Sequence, residues 1–372
     1  MLNMSIFNLL PYYLELRGAS PDLYGQVAGS MGVSNFLFLM LLGRRADLWS
    51  RKATVALYFS ASLAGNAVAL WAMSQPDPRW YIAARLLQGV FMGLGFPLIF
   101  SWAVELCPSD RKHVVLAWFG IAGLVSNSLG PSLAESVLAL QPDPHHPDAY
   151  VPVFIMSTGF QVASLGFFMW TKNTRVVPEA GVAQAGLMPL LSRPHNLLLL
   201  LVTAIFGGLF GILMSFGKNY VVSVGLEYVS LLLWAYTIGA VFSRIFIQQI
   251  SRYMTEKIMV VVSLWGLAIT FACLSFSDNY PLLVFTGFLY GLVHGILYPT
   301  LFVRFLNFQK NSETGRGATL FQGTFSIGWG SLPLVGGTLV RLVGFQSLFW
   351  LLALLALAGV ALAVLAERVA EK

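Results

Sequence analysis

Gly43-Arg44-Arg45-Ala46-Asp47-Leu48-Trp49-Ser50-Arg51-Lys52 is a charged turn set between two long apolar runs. Tyr24 to Leu42 contains 19 residues without a charge, and Ala53 to Gln75 contains 23 more. At about 1.5 Å per residue each run, as a helix, can cross the roughly 30 Å hydrocarbon core of a bilayer. The turn therefore joins two membrane-spanning helices. Four cations against one acid place it on the cytoplasmic side, because short loops rich in Lys and Arg are retained there.

Composition extends this reading to the whole chain. Of the 372 residues 57% are hydrophobic and 10% charged, with a mean hydropathy of +0.74, far from the balance of a soluble domain. The apolar runs are unbroken rather than alternating, so they read as helices and not as barrel strands. The net charge of +6 is a matter of topology: 17 of the 22 Lys and Arg fall in turns on one side or in the C-terminal tail. That pattern argues against a nucleic-acid partner and for a multi-pass protein of the cell membrane with a cytoplasmic C-terminus.

Nine further spans follow the pair around the turn. They are Trp80 to Glu105, His113 to Leu138, Ala149 to Thr171, Asn196 to Gly217, Tyr228 to Gln249, Ile258 to Ser277, Tyr280 to Leu306, Gly317 to Val340 and Gly344 to Ala366. With Met1 to Leu14, short for a span and read as the outer part of a longer helix, the total is twelve. Lys172 to His195 is the longest polar connection, so the expected division is a six-helix bundle at 1–171, a cytoplasmic linker at 172–195 and a second six-helix bundle at 196–372.

The halves echo each other. Gly89-x-x-x-Gly93-x-x-Phe96-Pro97 recurs 202 residues later as Gly291-x-x-x-Gly295-x-x-Tyr298-Pro299, and Pro131, after Gly130, maps at the same offset onto Pro333. The charged turn maps at an offset of 205 onto 248–257, where the terminal lysine survives. Small residues four apart allow close helix packing in lipid, but their register across the halves is the signature of an internal repeat, frequent in transporters.

These motifs resemble the major facilitator superfamily, and within it the twelve-helix proton-coupled efflux members. Gly43, Asp47, Arg51 and Lys52 are similar to that family's loop between helices 2 and 3, with departures at Leu48 and Ser50. Arg85-Leu86-Leu87-Gln88-Gly89 resembles the R-x-x-Q-G of helix 4. Gly130-Pro131 resembles the core of the helix 5 motif of antiporters, except that Ala134-Glu135 stands where a glycine pair is usual. The resemblance implies an all-α integral membrane fold, two pseudo-symmetric six-helix bundles around a central cavity, working by alternating access. It further implies a cytoplasmic gate formed by Gly43, Asp47, Arg51, Lys52, Glu105 and Arg111. Proton-linked export of a small organic or amphipathic solute by a monomer is the expected activity, with uptake symport or facilitated diffusion as the alternative.

Ionisable groups within a span cost a few kcal/mol and are candidates for function. Arg85 either snorkels outward or biases a nearby acid and contacts solute. Glu135, at similar depth on the next span, is its expected partner, either as a static brace or as a titrating site whose protonation is set by burial against the arginine's charge. His294, at the repeat position of Met92, is a packing histidine or a proton carrier. Tyr290, at the repeat position of Gln88, lies one turn away. Gln322, Asn8, Tyr12 and Ser215 are weaker candidates for solute contact. Pro142-Asp143-Pro144-His145-His146-Pro147-Asp148 lacks a ligand cluster with metal spacing, so no metal or other cofactor is expected. The chain has no G-x-x-x-x-G-K-[ST] phosphate loop and no clustered catalytic constellation, which argues against ATP coupling and against an intramembrane enzyme; a non-transporting receptor is the remaining reading from another class.

Overall fold

Apolar runs of about twenty residues can satisfy their backbone in lipid by closing each N–H onto a carbonyl within the same segment. The computed structural model describes residues 1–42, 51–95, 98–99, 102–103, 106–107, 112–171, 187–310 and 313–370, and among them the regular structure is all helical. Helix α1 spans 2–16 and is interrupted by a 3-10 turn at Phe7–Leu9. It is followed by α2 (Pro21–Leu42), α3 (Arg51–Ala72) and α4, which runs from Trp80–Val90 into a π-helical turn at Phe91–Gly95. Next come α5 (Lys112–Leu138) and α6 (Tyr150–Trp170). A short turn of helix at Met188–Leu191 precedes α7 (Pro194–Ser223), α8 (Val229–Ile250), α9 (Glu256–Leu274) and α10 (Tyr280–Asn307). The last helical stretch, Thr314–Ala370, breaks at Gly344 into α11 (314–343) and α12 (345–370). Seven of the helical stretches among the described residues, counting the last pair as one, are long and apolar enough to cross a membrane.

Local chemistry sets several boundaries. Thr255 opens α9 by accepting the backbone N–H of Ile258, and Asn279 opens α10 by accepting that of Leu282, the usual remedy for the free N–H groups of a first turn. Two ends differ from the sequence reading. Helix α7 runs six residues past Gly217, because Lys218 does not need to reach water: its ammonium donates to the carbonyl oxygen of Glu227 and the residue is buried. The connection between α11 and α12 is a single residue, since Gly344 takes φ 75° and ψ 173°, a conformation in which a side chain would be strained.

The chain forms two compact units, Met1–Gln184 and Ala185–Lys372. In the first, α4 packs on α2 and α3, α5 on α1, and α3 on α6. In the second, α8 packs on α10, α7 on α11, and α9 on α12. The repeat seen in sequence is a repeat of contacts. Gly89 and Gly93 of α4 seat against the carbonyl oxygens of Met31 and Asn35 on α2, while Gly291 and Gly295 of α10 seat against those of Tyr236 and Ala240 on α8. The receiving residues are themselves 205 apart, the offset of the charged turn. A methyl group at any of the four glycines would overlap a backbone oxygen, so each helix pair needs glycine to come this close. Gly130 likewise admits Ser5 of α1 against α5. Pro131, Pro299 and Pro333 lie inside their helices.

Candidate functional site

In the first unit, polar residues at helical spacing on four helices meet in one buried chain. Arg85 Nη1 donates to Gln88 Oε1 at 3.0 Å, and Gln88 Nε2 donates to Asn66 Oδ1 at 2.8 Å. Asn66 Nδ2 donates to Asn3 Oδ1 at 2.8 Å, which also accepts Ser157 Oγ at 2.7 Å. All five residues are buried. The reach from α4 to α3 depends on Gly65, over which Gln88 lies; a Cβ there would sit 2.9 Å from Gln88 Cγ. Arg85 Nε, Asn3 Nδ2, Ser62 Oγ and Gln161 Nε2 have no hydrogen-bond partner among the described residues. Buried polar atoms are nearly always satisfied, so these mark a place where water or solute completes the bonding.

The expected Arg85–Glu135 pair does not form. Arg85 bonds to Gln88 on its own helix, while Glu135, buried in α5, acts electrostatically on Tyr150 of α6. The reason is lateral. Helix α4 lies on α2 and α3, whereas α5 lies on α1, so equal depth does not make the two side chains neighbours.

In the second unit, Tyr290, His294 and Tyr298 stand one above another at four-residue intervals on α10, their rings stacked at 6.0 and 6.4 Å between centroids. Phe206 and Phe210 of α7 flank His294 at 5.1 and 4.9 Å. His294 Nδ1 lies 3.3 Å from the Tyr236 hydroxyl, and its Nε2 and the Tyr290 hydroxyl have no partner among the described residues. Tyr298 donates to Gln322 Oε1 at 2.7 Å. Ser215 is buried in α7. In the first unit Asn8 falls in the 3-10 turn of α1, and the Tyr12 hydroxyl lies 3.1 Å from His145 Nδ1 in the loop after α5.

The Major Facilitator Superfamily model matches this sequence over residues 1–261 and again over 223–372. The chain belongs to the major facilitator superfamily. It is accordingly a multi-pass secondary transporter of a small solute and not an enzyme. The fold of this superfamily member is similar to a crystal structure of the nucleoside transporter NupG (TM-score 0.79, 14% identity, 100% of this chain and 97% of that one). It is also similar to a variant of the E. coli fucose:proton symporter FucP (0.64, 16%, 98% and 96%) and to the human organic anion transporter MFSD10 (0.60, 18%, 97% and 95%). No curated protein sequence matches the chain.

Of the gate residues that the superfamily loop implies, Gly43, Asp47, Glu105 and Arg111 lie outside the described residues, as does Pro97; Arg51 and Lys52 open α3. In the second unit the equivalent end holds charges that the sequence reading passed over. Arg193, just before α7, donates through both terminal nitrogens to Glu313 at 2.9 Å and through Nη1 to Gln309 Oε1 at 3.1 Å, and Gln309 in turn donates to Asn196. Arg304 forms a second bidentate pair with Glu367 and lies 3.8 Å from Glu256. The available signal was the repeat, since Glu313 stands 202 residues after Arg111. The hydrogen bonds from Arg193 hold the Glu313 carboxyl below its ordinary value of 4.5. A lowered folded value means the pair stabilises fully above 4.5 and is lost as pH falls through the lowered value. Glu313→Gln is therefore expected to melt below wild type at neutral pH, with the gap closing on acidification; thermal unfolding in detergent checks this, and a gap that widens would reverse the sign.

Proposed function

We propose that this protein is a proton-linked exporter of a small organic solute, in which six-helix halves at 1–171 and 196–372, joined by the linker 172–195, expose a binding region to each side of the membrane in turn. The turn at 43–52 and both ends of the second half's charged corner face the cytoplasm on this reading, following the positive-inside distribution. The observation that carries it is the buried chain from Arg85 to Ser157. Placing an arginine and four uncharged polar side chains inside apolar helices costs several kcal/mol, a cost unneeded for a merely structural bundle.

Glu135 is the proposed proton carrier. It is the buried acid within a span of the first unit among the described residues, and it lies on α5 apart from the Arg85 chain, so proton and solute have separate sites that alternate access can couple. His294 and Tyr290 offer unpartnered atoms in the second unit and are proposed to line the solute path with Gln322 and Ser215. Arg51, Lys52, Asp47, Glu105 and Arg111 are proposed to hold the cytoplasmic gate. Exposed pairs of this kind contribute only about 0 to 1 kcal/mol, enough to bias two states separated by a few. Uptake symport is the second reading, favoured by Ala134-Glu135 in place of the glycine pair of antiporters.

The test is proton movement in proteoliposomes with an internal pH dye, wild type beside Glu135→Gln, challenged with organic acids, sugars and organic cations. Substrate-triggered proton flux that disappears in the variant is the expected result, and its sign separates export from uptake. Solute flux with no proton movement in wild type would leave a facilitator and overturn the coupling.

A further inference from the structure

The unpartnered buried atoms of the first unit share a chemical bias. Among the described residues, Arg85 Nε, Asn3 Nδ2, Gln161 Nε2 and Trp102 Nε1 can only donate, and the rest are the hydroxyls of Tyr58, Ser62 and Tyr150, which can donate or accept. None can only accept. The second unit lacks this bias, since Asn219 Oδ1 is among its unpartnered atoms. The direction of the bonded chain has the same cause. The amide oxygens of Gln88, Asn66 and Asn3 face back toward the guanidinium, the amide nitrogens of Gln88 and Asn66 donate away from it, and the chain ends on the unpartnered Asn3 Nδ2. Arg85 has no carboxylate within salt-bridge reach among the described residues.

Three of these groups stand together at the end of the chain remote from the guanidinium: Asn3, Ser62 and Gln161. Ser62 is one turn from Asn66 on α3, and Gln161 is one turn from Ser157 on α6, so both lie on the faces that meet at Asn3. These helices run antiparallel, and both steps lead toward the ring contact of Phe59 with Phe168 at 5.0 Å. Trp102 stacks on Phe168 at 6.0 Å and Phe91 packs on Phe59 at 4.7 Å. A cluster in which every unpartnered atom can donate, joined to the Arg85 guanidinium through the hydrogen-bonded chain, thus adjoins an aromatic wall.

We infer that this cluster, formed by Arg85, Asn3, Ser62 and Gln161, is the recognition site for an oxoanion, in the first instance a carboxylate, carried on an apolar body that rests against Phe59, Phe168 and Trp102. A carboxylate is acceptor-only and planar, matching unpartnered N–H groups and a guanidinium. A cation would meet fixed positive charge, and a neutral amide would leave that charge unanswered. The inference names the substrate class of the transport site and so rests on the reading of this chain as a solute carrier that uses the Arg85 region.

The experiment uses the full chain in nanodiscs and two matched series, benzoate, benzamide and benzylammonium, and hexanoate, hexanamide and hexylammonium, with affinity read by calorimetry. The acid of each series is expected to bind most tightly. Arg85→Gln should weaken the acid by about tenfold or more while leaving the amide within about twofold, as losing a charge-assisted bond predicts, and Arg85→Lys should retain part of the preference. Gln161→Leu supplies a variant that keeps the arginine: it removes a donor with no partner among the described residues, so the ligand-free melting temperature should not fall while the acid weakens several-fold. Preference for the ammonium or the amide overturns the inference. So does unchanged acid affinity in Arg85→Gln, or no binding by any member, which would assign the donors to water. Flux in the pH-dye vesicles separates the two ideas: acid binding without flux sinks the transport mechanism alone, and proton-linked flux of sugars or cations without acid binding sinks the anion site alone.

Discussion

Gln88→Leu is expected to destabilise the protein by about 2 to 5 kcal/mol and to cut solute flux at least tenfold. The substitution is nearly volume-conserving, so packing over Gly65 survives, and the loss comes from polar atoms left behind. Arg85 Nη1 loses its acceptor and Asn66 Oδ1 loses its donor, both buried. An abandoned buried group costs about 1 to 3 kcal/mol, and more when it is charged. A double-mutant cycle sharpens the point. Arg85→Met combined with Gln88→Leu should cost clearly less than the sum of the two singles, because the double variant orphans only Asn66 Oδ1 whereas the singles together orphan three groups. Arg85→Met combined with Glu135→Gln should be additive to within about 0.5 kcal/mol, as residues that do not touch usually are. Strong coupling in the second cycle and none in the first would contradict the bonding described here.

The second large effect is steric. Gly291→Val is expected to destabilise the second unit by about 3 kcal/mol or more, and Gly89→Val the first unit similarly, at the upper end of overpacking costs. In both cases the obstacle is a carbonyl oxygen of the facing helix, Tyr236 for Gly291 and Met31 for Gly89, and a helix backbone cannot yield as a flexible side chain can. Gly159→Ala is the control. A Cβ at Gly159 meets nothing within 4 Å, so its expected effect is within about 0.5 kcal/mol. Melting temperature and folded yield in detergent measure all three, and equal tolerance at Gly291 and Gly159 would remove the close-contact argument.

The helices were legible because uncharged runs of some twenty residues admit little else in a membrane, and the two-fold plan because Gly, aromatic and Pro residues return in register. Depth along a helix can be read by counting residues from its end, which is why the sequence puts Arg85 and Glu135 at a similar level. Azimuth cannot. Which helix stands beside which is decided by packing: Arg85 bonds Gln88, which reaches α3, while Glu135 on α5 acts on Tyr150 of α6. The rest of the polar chain escaped for a related reason. Asn3, Asn66, Ser157 and Gln161 are small uncharged residues dispersed in apolar runs, and they gain meaning only when four helices bring them together. The spacing of Ser62 to Asn66 and Ser157 to Gln161 was the available hint. The ion pairs at Arg193 and Arg304 were hidden differently, since their acids lie far along the chain and their cations had been counted as topology.

The single-residue corner at Gly344 has a practical consequence. Most helical hairpins offer a loop where a protease can cut, a tag can be inserted or a split reporter can be joined, but α11 and α12 meet with no such slack. An inserted epitope there would have to prise the pair apart, whereas the connection between α5 and α6, about eleven residues long with exposed Leu140 beside its prolines, can accept one. Attaching a reporter in that connection and leaving the last hairpin untouched is the arrangement that should preserve transport in cells.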